Sequence, residues 1–555
     1  MQQKIDIKES NETMAFVVPK SRLTNLVLDE VTVNHRRPII QRKIDRLIMN
    51  VGQTANAVGK SALDLLKIAP GVFVNNGQIS INGIMGTRIL VDGKSINLAG
   101  SDLKNYLQSL RSSDIQSIEI MAHPSAEFDA EGSGGIINII LKKNDKQGIN
   151  GYIGNDYGLG LGKYASYNPY TALNYRKGKI GLTASYAYAH AKSYEELKQQ
   201  RNFPNNGLYS QTTDNTQTNN NSRIRTVVTY DRSKRESFGL AYTGQYSNFT
   251  GPSAARATVR YEDPAKNIIS SGSFPSESKS NYQNLGFNYA RETDSLHSKV
   301  TIIADYTHNK RTGNSISNST DWNATGSVIS DTLFRLDYPS TAKIFTGEAK
   351  YNWIVKNGNN LSIGLKSTAT DIINTNNSQV FDQHWTPSPA LDFEFAYKER
   401  IYATYANYTG KWAKIDYQLG LRGEKSIVQG RLWGAQQADL LQHYFNWFPS
   451  IFLKKDLNME GSNYLTFSYN RRIRRPSYFD LNPYKYYIDN YSVQTGNPYL
   501  RPQFTNSIEI GGMWKEKYYS ALNYSQTKNA ISQIIRNQAQ EELLTVIKDN
   551  VGTQK

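Results

Sequence analysis

Residues 178–190 read GKIGLTASYAYAH, a stretch in which large and small side chains alternate. In an extended strand, Leu182 and Tyr186 point to one face, whereas Thr183 and Ser185 point to the other. A soluble sheet would bury the apolar face against a core. Stretches of this kind recur through most of the chain, and the sequence supplies no obvious second layer to cover them. The apolar faces must therefore lie against something other than a conventional protein core.

The composition excludes a helical membrane protein and is compatible with a membrane β-barrel. The chain has 555 residues, of which 38% are hydrophobic, and its mean hydropathy is −0.58. No stretch approaches the roughly 20 consecutive apolar residues that a membrane helix needs. The alternating strands of a membrane barrel give a much weaker signal. The 37 tyrosines favour strands and suit membrane interfaces, where one end of the ring is wet.

The charge and cysteine counts limit the kinds of partner and of reactive site that the chain can have. The formal net charge is +16 and there is no cysteine. The basic residues are scattered in short turns such as RKGK (176–179) and DRSKRE (231–236), and they form no dense stripe with interleaved aromatic residues. We therefore expect solvated charges and no nucleic-acid partner. The absence of cysteine rules out disulfides, thiolate metal sites and cysteine nucleophiles.

The sequence contains no recognisable catalytic constellation. The segment GTRILVDGKS (86–95) has Arg88 where a phosphate-binding loop requires glycine, and the seven histidines are dispersed. Glu127 and Asp129 lie close together, but a chain with 48 acidic residues has many such pairs. We predict that the chain is not an enzyme, with no catalytic residue, no cofactor and no metal site.

An extended N-terminal segment, residues 1–35, is followed by two regions with different residue patterns. Residues 36–146 combine two helical patterns with short strand-like runs, which predicts a small α/β domain. The helical patterns lie at 61–69 and 101–110, and the strand-like runs lie at 78–83, 88–93, 115–121 and 135–143.

Residues 147–555 read as about 16 successive strands whose connections alternate between short and long. In an antiparallel meander, all short connections then lie at one end and all long ones at the other. That asymmetry is typical of outer-membrane barrels, in which apolar faces point into lipid and polar faces line the interior. A propeller is disfavoured because no repeat is visible, and an array of β-sandwiches is disfavoured because no linkers are visible.

Several ordered motifs resemble one family. The segments SALDLLKIAPGVFV (61–74), ISINGIMGTRILVDGKSI (79–96) and IQSIEIMAHPSAEFDAEGSGGIINIILKK (115–143) resemble the plug domain of TonB-dependent outer-membrane receptors of the Bacteroidetes type. The late segment around RRPSYFDLNP (474–483) resembles the barrel of the same receptors. The resemblance implies an antiparallel transmembrane β-barrel, typically of 22 strands, with the plug inside its lumen.

The resemblance also implies a function. The expected activity is uptake across the outer membrane of an iron chelate, cobalamin or a glycan, with energy delivered by the periplasmic protein TonB. Outer-membrane lipid would surround the barrel, and a surface lipoprotein is a further candidate partner. Two alternatives remain open, namely a non-transporting barrel such as an adhesin or structural protein, and a non-functional fragment of a receptor.

The plug motifs contain residues that we interpret as scaffold rather than as ligand contacts. An Asp-Gly pair predicts a hairpin turn, a proline ends the first helix, and a glycine cluster allows a close approach into the next strand. These scaffold residues are Pro70, Gly71, Asp92, Gly93, Gly132, Gly134 and Gly135.

A short extended segment, LDEVTV, precedes the plug at the place where this family carries its TonB box. Such a peptide can add itself as a strand to the sheet edge of a partner. The residues are Leu28, Asp29, Glu30, Val31, Thr32 and Val33. The same segment could instead be the last strand of a preceding small β-domain, and the sequence leaves both readings open.

The two ends of the chain lead us to expect truncation. The N-terminus has neither the basic nor the apolar region of a signal peptide. The chain ends in IKDNVGTQK, within a strand-like pattern. We therefore expect a C-terminally incomplete barrel.

Overall fold

The fold is described from a computed structural model of the chain. It describes residues 38–555, apart from 55–56, 76–77, 97, 99, 143–146, 161–163, 203–206, 356, 390–391, 435–436, 459–461, 483–484, 490–491, 516 and 538–543. The TonB-box-like segment 28–33 lies outside the described residues.

The first domain is a six-stranded mixed sheet with two helices, and we call it the plug. Its strands are β1 (Ile40–Arg42), β2 (Leu47–Asn50), β3 (Val72–Asn75), β4 (Gln78–Ile81), β5 (Arg88–Val91), β6 (Lys94–Ser95), β7 (Ile115–Met121) and β8 (Ile136–Leu141). Its helices are α1 (Ala62–Ile68) and α2 (Gly100–Ser109). The sheet order is β1-β2-β7-β8-β5-β6, and β3 and β4 form a separate hairpin. The predicted helices and strands of this region are confirmed.

Local chemistry explains the plug elements. Ser61 caps α1 in a capping box with Asp64, which satisfies backbone N–H groups that the first helical turn leaves free. The apolar residues of both helices and of the central strands form one core. Leu66, Leu107 and Ile118 are fully buried in it.

Most of the remaining described residues form a barrel that strand pairing closes, in contrast to the incomplete barrel expected from the sequence. Its strands are β9 (Gly148–Gly160), β10 (Tyr164–Lys177), β11 (Ile180–Asn202), β12 (Leu208–Ser233), β13 (Glu236–Gly251), β14 (Ser253–Arg260), β15 (Ile268–Ser273), β16 (Ser276–Glu292), β17 (Lys299–Asn323), β18 (Val328–Asp337), β19 (Ser340–Ile354), β20 (Asn360–Asp382), β21 (His384–Pro387), β22 (Phe393–Trp412), β23 (Ile415–Gly434), β24 (Ala438–Asp456), β25 (Tyr464–Arg474), β28 (Gln503–Trp514), β29 (Tyr518–Lys528) and β32 (Thr553–Gln554). Neighbouring strands are paired antiparallel, as the meander predicted.

A small sheet and a short helix sit at the end of the barrel where the connections are long. The helix is α3 (Tyr478–Leu481), and the strands are β26 (Lys485–Asp489), β27 (Ser492–Thr495), β30 (Ile531–Asn537) and β31 (Leu544–Asn550). Leu481 and Leu500 pack against Phe395 and Val428 of the barrel wall. This part of the chain therefore folds into the mouth of the barrel.

The opening stretch behaves as the alternation predicted. Ile180 and Tyr186 of β11 are exposed on the outside, whereas Ala187 is buried on the inside. Strand β23 repeats the pattern more sharply: Leu421 is 46% exposed and its neighbour Arg422 is 1% exposed. Outward apolar and inward polar side chains are the arrangement of a lipid-embedded barrel.

The barrel has 20 strand segments, more than the approximately 16 that the sequence indicated. The difference arises at the long connections. Residues 192–221, one of the stretches that the sequence indicates as a long polar connection, form largely a hairpin in which β11 extends to Asn202 and β12 begins at Leu208. Polar Thr, Asn and Gln side chains there need no lipid or core, so they show no hydrophobic period, yet backbone pairing continues. The short segments β14, β15, β18 and β21 are further examples.

Among the described residues, no helix has the length and apolar character needed to cross a bilayer.

Candidate functional site: the contact between plug and barrel wall

The plug contacts inward-facing residues around the barrel wall, so it occupies the lumen. Arg223 of β12 donates to the carbonyl of Ser109 at 3.1 Å, and Lys94 lies 3.0 Å from Asp305 of β17. On another side, Arg42 contacts Glu509 of β28 at 3.4 Å. The function of such a molecule must depend on how these contacts are held and released.

An acidic loop of the plug, residues 122–135, makes the densest contact with the wall. It connects β7 to β8 and carries Glu127, Asp129 and Glu131. The strong local structure on both sides, two central strands of one sheet, holds the loop in place. Its carboxylates therefore project from a rigid support towards the barrel.

Basic residues of three barrel strands form ion pairs with two of these carboxylates. Glu127 forms an ion pair with Lys350 of β19. Asp129 accepts from Lys366 of β20 at 2.9 Å and from Arg422 of β23 at 3.1 Å. Burial alone would raise the pKa of Asp129, but the charges of Lys366 and Arg422 outweigh it and hold that pKa well below its usual range. Asp129 is thus ionised at any physiological pH.

A chain of buried charges continues from Asp129 towards the mouth. The Arg422 guanidinium donates to Glu424 at 2.6 Å, and Arg475, which follows β25, donates to the same carboxylate at 2.7 Å. Their side chains are 1%, 3% and 5% exposed in the order Arg422, Glu424, Arg475. Arg475 also lies 3.6 Å from Glu131 of the plug. Buried charges are tolerated only when paired, so plug and wall depend on each other here.

Strand β25 holds the plug through its backbone as well. The N–H of Gly132 donates to the carbonyl of Ile473 at 3.1 Å, and the N–H of Ile473 donates to the carbonyl of Ala130 at 3.0 Å. Arg472 donates to the carbonyl of Glu131 at 2.8 Å. Glu131 and Ile473 thus form an isolated parallel β-bridge between the plug and β25.

A second polar cluster surrounds His123. Its Nδ1 lies 3.3 Å from Asn470 Oδ1, and its Nε2 lies 3.4 Å from Glu509 Oε2. Glu509 also accepts from Tyr519 at 2.7 Å and from Arg42 of β1. Burial opposes protonation of His123, but the hydrogen bond and charge of Glu509 outweigh it and raise the pKa of the imidazole. The cluster joins the first plug strand to the wall.

Two of the cavities between the plug and the wall share part of their lining. One has a volume of about 120 Å³ and reaches Asp305 of β17 and Ala241 of β13. The other has a volume of about 250 Å³ and reaches Tyr397 and Tyr478 near the mouth. The residues that line both are Arg88, Ile96, Asp129, Ile344, Lys366 and Thr368.

The predicted scaffold residues lie in turns of the plug. Pro70 follows α1, which ends at Ile68. Asp92 and Gly93 form the β5–β6 turn with φ of 50° and 80°. Gly71, Gly132 and Gly135 also have positive φ, whereas Gly134 is needed for space, because a Cβ there would lie 2.4 Å from the carbonyl oxygen of Ile84. Gly132, Gly134 and Gly135 border the acidic loop, and the other four residues do not contribute to it.

The sequence did not identify the charged contact. Glu127 and Asp129 were visible as a pair, but their partners lie far away in the chain. Lys350 is 223 positions from Glu127, and Arg422 is 293 positions from Asp129. The available signal was the inward position of Arg422 in its strand, which marks a charge that must find a partner in the lumen. Within the described part of the chain, no cluster of His, Asp or Glu side chains suits a metal ion.

Comparisons with known proteins agree with this architecture. Residues 291–555 match the outer membrane protein beta-barrel family. No curated protein matches the chain.

Solved structures of outer-membrane receptors resemble the whole fold. A variant of the ferric enterobactin receptor of Pseudomonas aeruginosa, in complex with enterobactin, is similar with a TM-score of 0.60 and 15% identity, over 92% of this chain and 77% of the receptor. The siderophore receptor PirA of the same organism gives 0.58 and 13%, over 94% and 80%. The alcaligin receptor FauA of Bordetella pertussis gives 0.53 and 11%, over 91% and 74%.

Both the plug and the barrel are covered by these likenesses, and the outward faces carry the apolar residues that a membrane requires. Residues 291–555 therefore match the outer membrane protein beta-barrel family, and the chain as a whole has the barrel-and-plug fold of the siderophore receptors that it resembles.

Proposed function

We propose that the chain is a TonB-dependent receptor that takes up an iron chelate across the outer membrane. The observation that carries the proposal is a plug that lies in the lumen and is held to the wall by side-chain ion pairs as well as by backbone hydrogen bonds at β25. The similar solved structures include receptors for enterobactin and alcaligin, which favours an iron chelate over cobalamin or a glycan. Import rather than catalysis is the role that this arrangement serves.

TonB is the proposed energy source, and Leu28–Val33 the proposed contact. The segment directly precedes the plug strand β1, whose Arg42 contacts Glu509. A pull on this segment would act first on β1, the edge strand of the plug sheet. We retain the division into residues 1–35, the plug 36–146 and the barrel 147–555 as part of this proposal. A surface lipoprotein remains a predicted additional partner.

An uptake assay tests the proposal. Cells that lack their own siderophore receptors would express the chain behind an export signal and receive radioactive iron as the enterobactin, alcaligin or pyoverdine complex. Uptake of at least one complex is expected, and it should disappear without TonB and after deletion of residues 28–33. A matched deletion of residues 8–13 is the control and should preserve uptake.

Two results would contradict the proposal. Uptake that persists without TonB would exclude active import. Binding of cells or sugars without any uptake would favour the adhesin or structural alternative, and growth on a glycan or cobalamin would change the ligand class.

A further inference from the structure

A third cavity lies between the plug and strands β9 to β12 of the wall. Its volume is about 230 Å³, several times the roughly 30 Å³ that one water molecule occupies in the liquid. The plug contributes residues of the segments 110–114 and 141–142, and no residue of the acidic loop 122–135 lines it. The cavity is therefore separate from the charged contact described above and has room for a small polyatomic ligand.

The cavity lies towards the end of the barrel that has the short turns. Asn150 is two residues from the start of β9, and Thr183 is three residues from the start of β11. In outer-membrane barrels the short turns face the periplasm. Asn150 and Lys142 are exposed, so the cavity is open to water at this end.

Positive charge dominates the lining of the cavity. Its cations are Lys142, Arg223 and Arg225. The single carboxylate among the described lining residues is that of Asp114, and it already accepts a hydrogen bond from the Tyr152 hydroxyl. The lining therefore has an excess of positive charge, which a bound anion would neutralise.

Arg223 is the buried cation of this set, with 2% of its surface exposed. Its Nη2 donates to the carbonyl of Ser109 at 3.1 Å and lies 3.7 Å from Asp114 Oδ2. Its Nε and Nη1 have no hydrogen-bond partner among the residues that the structure describes. Buried donors of a charged group are costly to leave unsatisfied, so Arg223 calls for an acceptor from outside the chain.

Neutral hydrogen-bonding groups surround these charges. Thr183 donates to Asn174 Oδ1 at 2.9 Å, and Asn174 Nδ2 donates to Asn150 Oδ1 at 3.2 Å, which leaves the amide nitrogen of Asn150 as a donor. Ser185 lies directly opposite Arg225 in the strand register, and the guanidinium of Arg225 reaches Asp92 only at 3.5 Å. Guanidinium forks combined with hydroxyl and amide donors suit an acceptor that has several oxygen atoms.

We infer that this cavity binds a small oxyanion, such as phosphate, sulfate or a carboxylate, with Arg223 and Arg225 as its principal donors. Because the cavity lies between the plug and the inner face of the wall, the anion comes from the aqueous phase and not from lipid headgroups. The bound anion connects β12 to the end of α2, where Arg223 also donates to Ser109. The site goes beyond the proposed uptake function and does not depend on it.

Calorimetric titration of the purified full chain, in a neutral detergent at low ionic strength, tests for the site. The probes are inorganic phosphate, sulfate and acetate, and chloride is the comparison. At least one oxyanion should bind with one equivalent per chain. Chloride should bind at least about tenfold more weakly, because it is a single atom and cannot accept from donors on several strands at once with the geometry of an oxyanion.

A pair of substitutions at one position locates the bound anion. Ser185→Asp places a carboxylate opposite Arg225 and should abolish binding, because the chain then supplies its own anion to the cavity. Ser185→Asn adds a side chain of nearly the same size without the charge. It should keep Kd within about threefold of the wild-type value, less than the loss of one charged hydrogen bond would produce.

Substitutions of arginine test the proposed donors. Arg225→Gln should raise Kd at least about tenfold, as the loss of a charged hydrogen bond predicts. Arg223→Lys keeps the charge but loses the planar fork, and it should also weaken binding. Arg232→Gln is the control, because Arg232 lies on the same strand, is 66% exposed and does not line the cavity. This control should leave Kd unchanged.

Several results would overturn the inference. They are the absence of binding by every oxyanion, chloride binding as tight as oxyanion binding, equal binding by Ser185→Asp and Ser185→Asn, and an unchanged Kd in Arg225→Gln. Heat-modifiable gel mobility shows whether each variant is folded. If a variant of a buried position fails to fold, Lys142→Gln, at an exposed position, repeats the test and should weaken binding.

Discussion

Arg422 faces the lumen and therefore needs negatively charged partners there. The strand period places it in the lumen, next to the outward Leu421, and the plug then encloses it. Removing a guanidinium from water is costly unless carboxylates replace the water. Asp129 and Glu424 do so from two sides, one from the plug and one from its own strand.

Replacing Arg422 should therefore destabilise the assembled molecule. Arg422→Met removes the partner that Asp129 and Glu424 share and leaves them with Lys366 and Arg475, so we expect a loss near the lower end of the about 3–5 kcal/mol that breaking a buried pair costs. Arg431→Met is the control because it lies on the same strand, pairs with Asp439 at 3.1 Å and is 60% exposed. We expect the control to lose less than about 1 kcal/mol. Urea unfolding midpoints in detergent would measure both, and equal losses would contradict the argument.

His123 should make the plug contact sensitive to alkaline pH. Its pKa is raised in the folded state. Its stabilising contribution is therefore complete below the unfolded value of about 6.5 and is lost as the pH rises through the folded pKa. The groups facing it are Glu509, Asn470 and Asn523, with Arg42 behind Glu509.

The comparison of wild type with His123→Gln tests this dependence. The melting temperature of the wild type should exceed that of the variant at pH 6, and the gap should narrow at pH 9. His384→Gln, at an exposed position of β21, is the control for replacing a histidine that lies outside the contact between plug and wall. A constant gap for His123→Gln would mean that its imidazole contributes by packing alone.

Two turns of the plug depend on glycine for different reasons. Gly135 has φ of 88°, and a Cβ there would lie 2.4 Å from the carbonyl oxygen of Met121. Gly93 in the β5–β6 turn has φ of 80°, but a Cβ there would meet nothing within 4 Å. The first position needs both the backbone conformation and the space, whereas the second needs only the conformation.

Alanine substitutions should separate the cost of the backbone conformation from the cost of the missing space. Gly93→Ala should cost about 1–2 kcal/mol, the price of a left-handed backbone for a residue with a Cβ. Gly135→Ala should cost clearly more, because β7 and β8 must separate to admit the methyl group. Protease sensitivity of the plug and urea midpoints would rank the two variants. A smaller effect at Gly135 would contradict the steric argument.

Elements with an apolar period were predictable, and those without one were not. The predicted strand 115–121 agrees with β7, because its inward and outward positions differ in hydrophobicity. The polar hairpin β11–β12 has the composition of a loop, because a strand with two polar faces shows no hydrophobic period, so the sequence predicts a long connection there. Strand β12 has 26 residues, well beyond the roughly 9–11 that cross a bilayer.

The barrel as a whole carries a lipid-facing band of apolar side chains. Leu421 lies six residues from the start of β23, which is roughly 15 Å above the short turns for a tilted strand. Leu441 lies eight residues along β24 from Pro449, the partner of Leu421, and so roughly 20 Å higher. Because the apolar band of such barrels is about 25 Å tall, Leu421 lies within it and Leu441 above it.

Arginine at the two positions should therefore behave differently. Leu421→Arg is expected to cost about 2–4 kcal/mol and to lower the yield of barrel inserted into lipid vesicles. Leu441→Arg should insert almost as well as the wild type. Heat-modifiable gel mobility after refolding into vesicles would quantify the inserted fraction. Equal insertion of both variants would contradict the placement of Leu421 inside the apolar band and Leu441 above it.

The sequence by itself predicted an antiparallel barrel, the plug elements and the inward or outward direction of the strands that have an apolar period. These follow from local rules, since successive side chains of a strand alternate and a helix repeats every 3.6 residues. Only the tertiary structure decided which charges meet. Glu127 and Lys350 are brought together by strand register, barrel closure and the position of the plug, none of which has a local signature. The same long-range packing places the cavities between the plug and the wall and the backbone hydrogen bonds between the acidic loop and β25.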